Sequence, residues 1–243
     1  MQATERPQFE SSASKRIYEY VERHGSAKWS VLLNVTTVPS ERFQTEFERL
    51  KSKGYLEEED GTVRLALKVG AIDEYETGAG DITVRPGRQR DFEGLVDAIR
   101  DVTDAGTYVI AESVAEQLLY EDAVTRHNTV RSRVFFVGTV EDEVIGWTHL
   151  DLPQVPHAKE TAQQTVGVKE AYRGYGIGSK LLQRGLDWAE ANGYRKVYNS
   201  VPKTNRRAIE FLDDHGWETE AIRRNHYTID DEYVDEVTMT YRF

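Results

Sequence analysis

Along the first seventy residues the apolar positions follow a helical period three times and then a strand period once. From Phe9 to His24, serines able to cap a helix precede apolar Ile17, Tyr18, Tyr20 and Val21, and the run stops at Gly25. A short apolar piece, Trp29 to Val35, leads to Pro39. From Ser40 onward Phe43, Phe47 and Leu50 recur at helical spacing, and Gly54 lies just past the end. Tyr55-Leu56, the acidic turn Glu58-Glu59-Asp60-Gly61, and alternating Val63, Leu65 and Leu67 predict a β-hairpin.

Helix, helix, helix and hairpin in that order predict a winged-helix-like domain over residues 1–70. The polar, glycine-bearing stretch VGAIDEYETGAGD follows, and residues 71–80 within it read as a linker. From residue 81 to 243 the pattern changes to alternating strands and helices. Ile82–Val84 predicts a strand, Arg90–Val102 a helix with Phe92, Leu95, Val96 and Ile99 inward, and Val114–Val124 a second helix. Val134–Val140 and Val144–Leu152 predict a hairpin, Gln164–Val168 a further strand, and Lys196–Val201 another.

Composition narrows the class. The chain has 39% hydrophobic and 30% charged residues, as ordinary globular proteins do, and no cysteine, which excludes thiolate catalysis, disulfides and cysteine zinc sites. No apolar run approaches the roughly 18 residues of a membrane span, and MQATERPQFE lacks the pattern of a signal peptide. A cytoplasmic location without membrane contact is the expectation. Net charge is −11, and residues 1–70 hold 11 Lys/Arg against 11 Asp/Glu, so the remainder carries all of it. That asymmetry suits either a first domain that meets DNA or an acidic enzyme with uneven halves. The mixed charges of the third helix and the acidic wing tip, which repels phosphate, weigh against DNA.

The chemistry gathers around RGYGIGSK, residues 173–180. A strand precedes it, and a helix with Leu181, Leu182, Gly185, Leu186 and Ala189 on one face follows it from about Ser179. Free amides at a helix N-terminus, with the positive end of the helix dipole, hold anions. Arg173 adds a guanidinium fork suited to phosphate oxygens. Three phosphate turns compete for this spacing. A dinucleotide fingerprint needs glycine where Ser179 stands, and a P-loop needs Gly-Lys-Ser/Thr where the chain has Gly178-Ser179-Lys180. The third pattern, Arg-x-x-Gly-x-Gly, is met by Arg173, Gly176 and Gly178.

VGVKEAYRGYGIGSKLLQRGLDWAEANGYRKV, followed by Asn205-Arg206-Arg207-Ala208-Ile209 and His215-Gly216-Trp217, resembles the GNAT superfamily of acetyl-CoA-dependent N-acetyltransferases. The likeness runs over about residues 81–243, up to the closing strand around Glu232–Val237. It implies an α/β fold with a mixed, mostly antiparallel sheet flanked by helices. It implies that the pyrophosphate of coenzyme A rests on the amides of Arg173, Gly174, Tyr175, Gly176, Ile177, Gly178 and Ser179. It further implies that the Val166-Gly167-Val168 strand pairs with the pantetheine arm, Val166 and Val168 through their backbone, as an added strand pairs with a sheet edge. Strand 164–168 would splay from strand 196–201 around the thioester, and Asn205 would contact the cofactor arm. By itself, Asn205 reads equally as a helix cap.

Acetyl transfer needs a neutral amine, a stabilised oxyanion and a departing thiolate. A backbone N–H near Val166 suits the oxyanion. Deprotonating a lysine-like amine at pH 7 costs about 4–5 kcal/mol, so the base is the larger requirement. Here the chain departs from the family pattern. Gln163 stands where a glutamate is frequent, and Leu212 where a tyrosine acid is frequent. Glu112, near the start of the second helix, is the candidate base; Tyr198, Tyr227 and Tyr233 are unranked candidate acids, and His149 a candidate relay. No spacing suggests a metal site. The expectation is an enzyme acetylating a primary amine, on a protein or a small molecule. The rival is an acyl-CoA-sensing, DNA-binding regulator whose GNAT-like domain turns over little.

Overall fold

The computed structural model describes residues 7–67, 70, 72–103 and 108–243. Helix α1 (Ser12–His24) starts where the Ser11 hydroxyl accepts the Ser14 N–H, and ends at Gly25 with φ +70°. Strand β1 (Ser26–Lys28), α2 (Trp29–Val35), α3 (Ser40–Ser52), β2 (Leu56–Glu59) and β3 (Thr62–Leu65) follow. The three strands form a small antiparallel sheet of their own, in the order β1-β3-β2. Ile17, Tyr18, Val21, Leu32, Phe43, Phe47, Leu50 and Val63 are buried between helices and hairpin, with the Trp29 ring edge-on to Phe43 and Phe47.

The second sheet runs β11-β12-β10-β9-β8-β7-β5-β4, with the short β6 on β7. Its strands are β4 (Asp73–Thr77), β5 (Gly80–Pro86), β6 (Arg126–His127), β7 (Arg131–Val140), β8 (Glu143–Pro153), β9 (Thr161–Val168), β10 (Lys196–Pro202), β11 (Glu218–Ile229) and β12 (Glu232–Arg242). Every neighbouring pair is antiparallel except β9 and β10. Helices α4 (Phe92–Thr103) and α5 (Val109–Glu121) cover one face, burying Leu95, Ile99, Val114 and Leu118 against Phe135, Val137 and Trp147. Helix α6 (Ile177–Ala191) covers the opposite face over Phe136, Leu150 and Ala162, and α7 (Arg206–Asp213) follows β10. The mixed, mostly antiparallel sheet flanked by helices is the one the sequence predicts.

Besides the short strands β1 and β6, which the sequence reading lacks, three elements differ from it. The stretch read as a linker at 71–80 contains β4, which pairs with β5 from Asp73↔Val84 to Thr77↔Gly80. Its acidic residues hide a strand whose Tyr75 packs on the core beside Ile82. The second helix begins at Val109 instead of Val114 and stops at Glu121, because Asp122 takes the left-handed conformation. Strand β11 has no counterpart in the sequence reading, since its residues are exposed on both faces down to Arg224 and carry no alternation.

The N-terminal elements dock on the sheet through buried polar contacts. The Tyr18 hydroxyl donates to the His127 carbonyl at 2.8 Å. Glu22 pairs with Arg126 at 3.0 Å and accepts from Asn128 at 3.0 Å. Arg126 and the wholly buried Arg133 share Glu121 at the end of α5, and Arg131 links Glu121 to Asp151 on β8.

Candidate active site

Strands β9 and β10 pair only at their feet, Thr161↔Lys196, Ala162↔Val197 and Gln163↔Tyr198. Beyond Gln163 they separate, as the sequence reading expects, and a cavity of about 360 Å³ opens between them. Val166, Gly167 and Val168 line one wall, and Asn199, Ser200, Val201 and Pro202 the other. Val166 and Gly167 still pair with β8, so the free edge of β9 faces the gap.

At the open end lies the glycine turn. Gly174 (φ +87°) and Gly176 (φ +80°) adopt the left-handed conformation, and a Cβ on either would meet nothing within 4 Å. Here glycine supplies backbone freedom, and the space above the turn is open. Gly174, Gly176, Ile177, Gly178 and Ser179, at the start of α6, line the cavity. Arg173 donates from Nε to the Val168 carbonyl at 2.9 Å, which fixes the guanidinium beside the strand end. Ser179 is held by His215, whose Nε2 lies 2.8 Å from its hydroxyl. Gly178 permits contact with the Phe211 ring, 3.5 Å from where a Cβ would stand.

Of the cofactor residues expected from sequence, Val166, Gly167, Val168, Arg173, Gly174, Gly176, Ile177, Gly178, Ser179 and Asn205 all line this one cavity. Tyr175 does not. Its ring leans outward on Gly78 in the β4–β5 turn and is 46% exposed. Gly167 has a second role, since a Cβ there would overlap the Trp147 ring. Asn205 caps α7 by accepting the Ala208 N–H at 3.1 Å, so the cap reading holds while the residue still lines the cavity.

Glu112 is not brought to the site. It is exposed on the first turn of α5 and is absent from the cavity wall, which takes Tyr108, Val109, Ile110 and Ala111 from that turn. His149 is buried behind the wall, with Nδ1 3.2 Å from the Thr165 hydroxyl. Burial, reinforced by Arg133 and Arg131, pushes its pKa well below the usual histidine range, so it stays neutral. Tyr233 is 75% exposed, and Tyr227 donates its hydroxyl to Glu236 at 2.8 Å. The resemblance expects β10 to border the gap, but sequence reasoning did not name Thr165, Arg207, Phe211 or the β10 residues Asn199 to Pro202 among the lining. Leu212, where the resemblance expects a tyrosine, is a buried wall residue. Among the described residues no group of three or more His, Asp or Glu could hold a metal ion.

A parallel pair splayed beside a glycine turn and helix is the arrangement that the resemblance to acyl-CoA-using transferases implies. The model of the acetyltransferase (GNAT) family matches residues 97–217. YwnH of Bacillus subtilis (strain 168), named as a putative phosphinothricin acetyltransferase, is 30% identical over 139 residues, 56% of this chain and 83% of that protein. A GNAT-family acetyltransferase from Streptococcus pneumoniae superposes with a TM-score of 0.55 at 16% identity, over 67% of this chain and 99% of that one. The structure of yncA from Salmonella typhimurium with its cofactor acetyl-CoA gives 0.53 at 17% identity, over 66% and 93%. The chain belongs to the acetyltransferase (GNAT) family and is an acetyl-CoA-dependent N-acetyltransferase.

Proposed function

We propose that the acceptor is the primary amine of a small molecule and that the acetyl donor enters between β9 and β10. In this reading the amides of residues 174–179 and the Arg173 side chain hold the pyrophosphate. Val166 and Val168 pair with the pantetheine arm through their backbone, and Asn205 and Arg207 border its path. One observation carries the proposal: the cavity wall joins the free edge of β9 to the unobstructed turn in a single channel. The half-buried Tyr108, Val109 and Ile110 at the start of α5 suit a compact acceptor, and the name given to YwnH supports a small amine. The test is release of free thiol from acetyl-CoA with a panel of small amines, peptide lysines and peptide N-termini. Release with peptides alone would overturn the small-molecule reading.

We further read residues 7–67 as a winged-helix-like module that serves as a scaffold and does not read DNA. Its element order supports the first part. Exposed Glu57, Glu58, Glu59 and Asp60 at the wing support the second, since they would repel a phosphate backbone. Salt-sensitive binding to genomic DNA would reverse this reading in favour of a regulator.

A further inference from the structure

Asp151, Gln163 and Tyr198 stand in one row across three strands, paired directly as Asp151↔Gln163 and Gln163↔Tyr198. Direct cross-strand partners share a face and hold their Cβ atoms about 5 Å apart. Thr165 and Ser200, two residues further along β9 and β10, lie on that same face and line the cavity. The row therefore crosses the closed foot of the splay, immediately beneath the cavity. It lies on the α4/α5 face, away from α6 and the phosphate turn.

In the family pattern a glutamate occupies position 163. This chain has an amide there, which takes no proton, but a carboxylate on one flank and a phenol on the other. We propose that Asp151 and Tyr198 are the proton carriers of this enzyme, dividing between them the work done elsewhere by residues at positions 163 and 212. The proposal rests on the acetyl-transfer reading above.

The other titratable groups on this face are already committed: His149 is buried and neutral, and Arg133, across from Asp151 on β7, is held by Glu121. Glu236 is buried, and burial alone would raise its pKa. Hydrogen bonds from Arg223 (2.5–2.8 Å), Tyr227 (2.8 Å) and Thr238 (3.0 Å) outweigh that and hold it below the usual range, with His226 at 3.3 Å. Its oxygens are taken up by donors, which makes it a poor proton acceptor. Glu121 serves three arginines at the end of α5. Asp151 differs: it pairs with Arg131 at 3.2 Å and stands directly across from Arg133 on β7, and its side chain remains 36% exposed. The Tyr198 hydroxyl makes no hydrogen bond among the described residues. Burial first, and the Asp151 charge second, raise its pKa, with a smaller contribution from Glu236 opposed by Arg223. It therefore remains a proton donor at neutral pH.

The step balances as follows. Asp151 takes the proton of the alkylammonium through water and releases it to solvent. The lone pair so freed attacks the thioester carbonyl, the C–N bond forms, and the second nitrogen proton passes through water to Asp151. The C–S bond then breaks, and the departing thiolate takes the phenolic proton of Tyr198. Asp151, partly exposed, returns its proton to solvent and the phenolate takes one up from solvent, which restores both groups and leaves amide and free thiol.

The experiment uses the full chain with an alkylamine that the wild-type protein acetylates. If the wild type acetylates no amine, the underlying reading fails before the row is tested. Asp151→Asn is expected to lower kcat at pH 7 by about 100-fold, with unchanged acetyl-CoA affinity by titration and with Asp151→Glu retaining most activity. Tyr198→Phe is expected to lower kcat similarly and to abolish the alkaline limb of the pH–rate profile. With methoxyamine, which is already neutral at pH 7, the Asp151→Asn loss should shrink to less than about tenfold, because no proton must be removed before attack. A structural role would depress both amines equally. Equal losses for the two amines, or an alkaline limb surviving in Tyr198→Phe, would overturn the assignment.

Discussion

Gly167 lies flat against the Trp147 indole, so close that a Cβ would overlap the ring. The strand bordering the cavity is thereby seated on the largest fully buried side chain of the α4/α5 core. Gly167→Ala must push β9 toward the gap or displace the indole. Overpacking of this kind costs about 1–3 kcal/mol. The expected outcome is a lower urea midpoint together with weaker coenzyme A binding by calorimetry; an Ala variant matching wild type in both would show that the contact is slack.

Gly176 sits at φ +80° above open space. Gly176→Glu places a carboxylate where the pyrophosphate is proposed to lie, and like charges in contact cost several kcal/mol. Coenzyme A affinity should fall by at least about 100-fold while the circular dichroism spectrum persists. Unchanged affinity would remove the turn from the site.

Glu22 joins the N-terminal helix to Arg126 and Asn128. Glu22→Gln keeps the volume and removes the charge, and hydrogen bonds to charged groups are worth about 1.5–3 kcal/mol. We expect a stability loss of that size in chemical denaturation, with acetyl-CoA affinity unaltered. Equal stability would mean that the apolar contacts alone hold the N-terminal elements in place.

His149 makes stability depend on pH. Its folded pKa is depressed by burial, with Arg133 and Arg131 adding to the effect, while the unfolded value stays near 6.5. Below pH 6.5 the unfolded chain takes up a proton that the folded chain refuses, so stability is complete above that pH and declines as pH falls. By pH 5.5 a measurable part of the stability contributed by this group is gone. Comparing His149→Gln with wild type at pH 7.5 and pH 5.5 isolates it, and an identical pH dependence in the two proteins would refute the burial argument.

The glycine turn and the helix after it were legible in the sequence because both rest on local rules: left-handed backbone at Gly174 and Gly176, and a single apolar face from Leu181 to Ala189. The parting of β9 and β10 came only with the family resemblance, and the wall residues Asn199 to Pro202 were not read from local pattern, because they depend on where the two strands separate. That is a property of two strands distant in sequence. Strand β4 was hidden by its acidic composition, and β11 by exposure on both faces, so neither shows the alternation that marks a half-buried strand. Glu112 illustrates the converse. Its position near the start of a helix was read nearly correctly, but the helix presents Ala111 to the cavity and turns Glu112 to solvent.

Tyr175 points away from the cavity and rests on Gly78, while Lys180, one turn into α6, lies 4.6 Å from the Tyr75 ring. Both contacts tie the glycine turn to the β4–β5 hairpin at one edge of the sheet. Occupancy of the turn is therefore linked to the order of a segment that no ligand atom needs to touch. Acetyl-CoA would slow amide exchange across residues 73–86, and anything that loosens that hairpin would weaken the ligand by the same free energy.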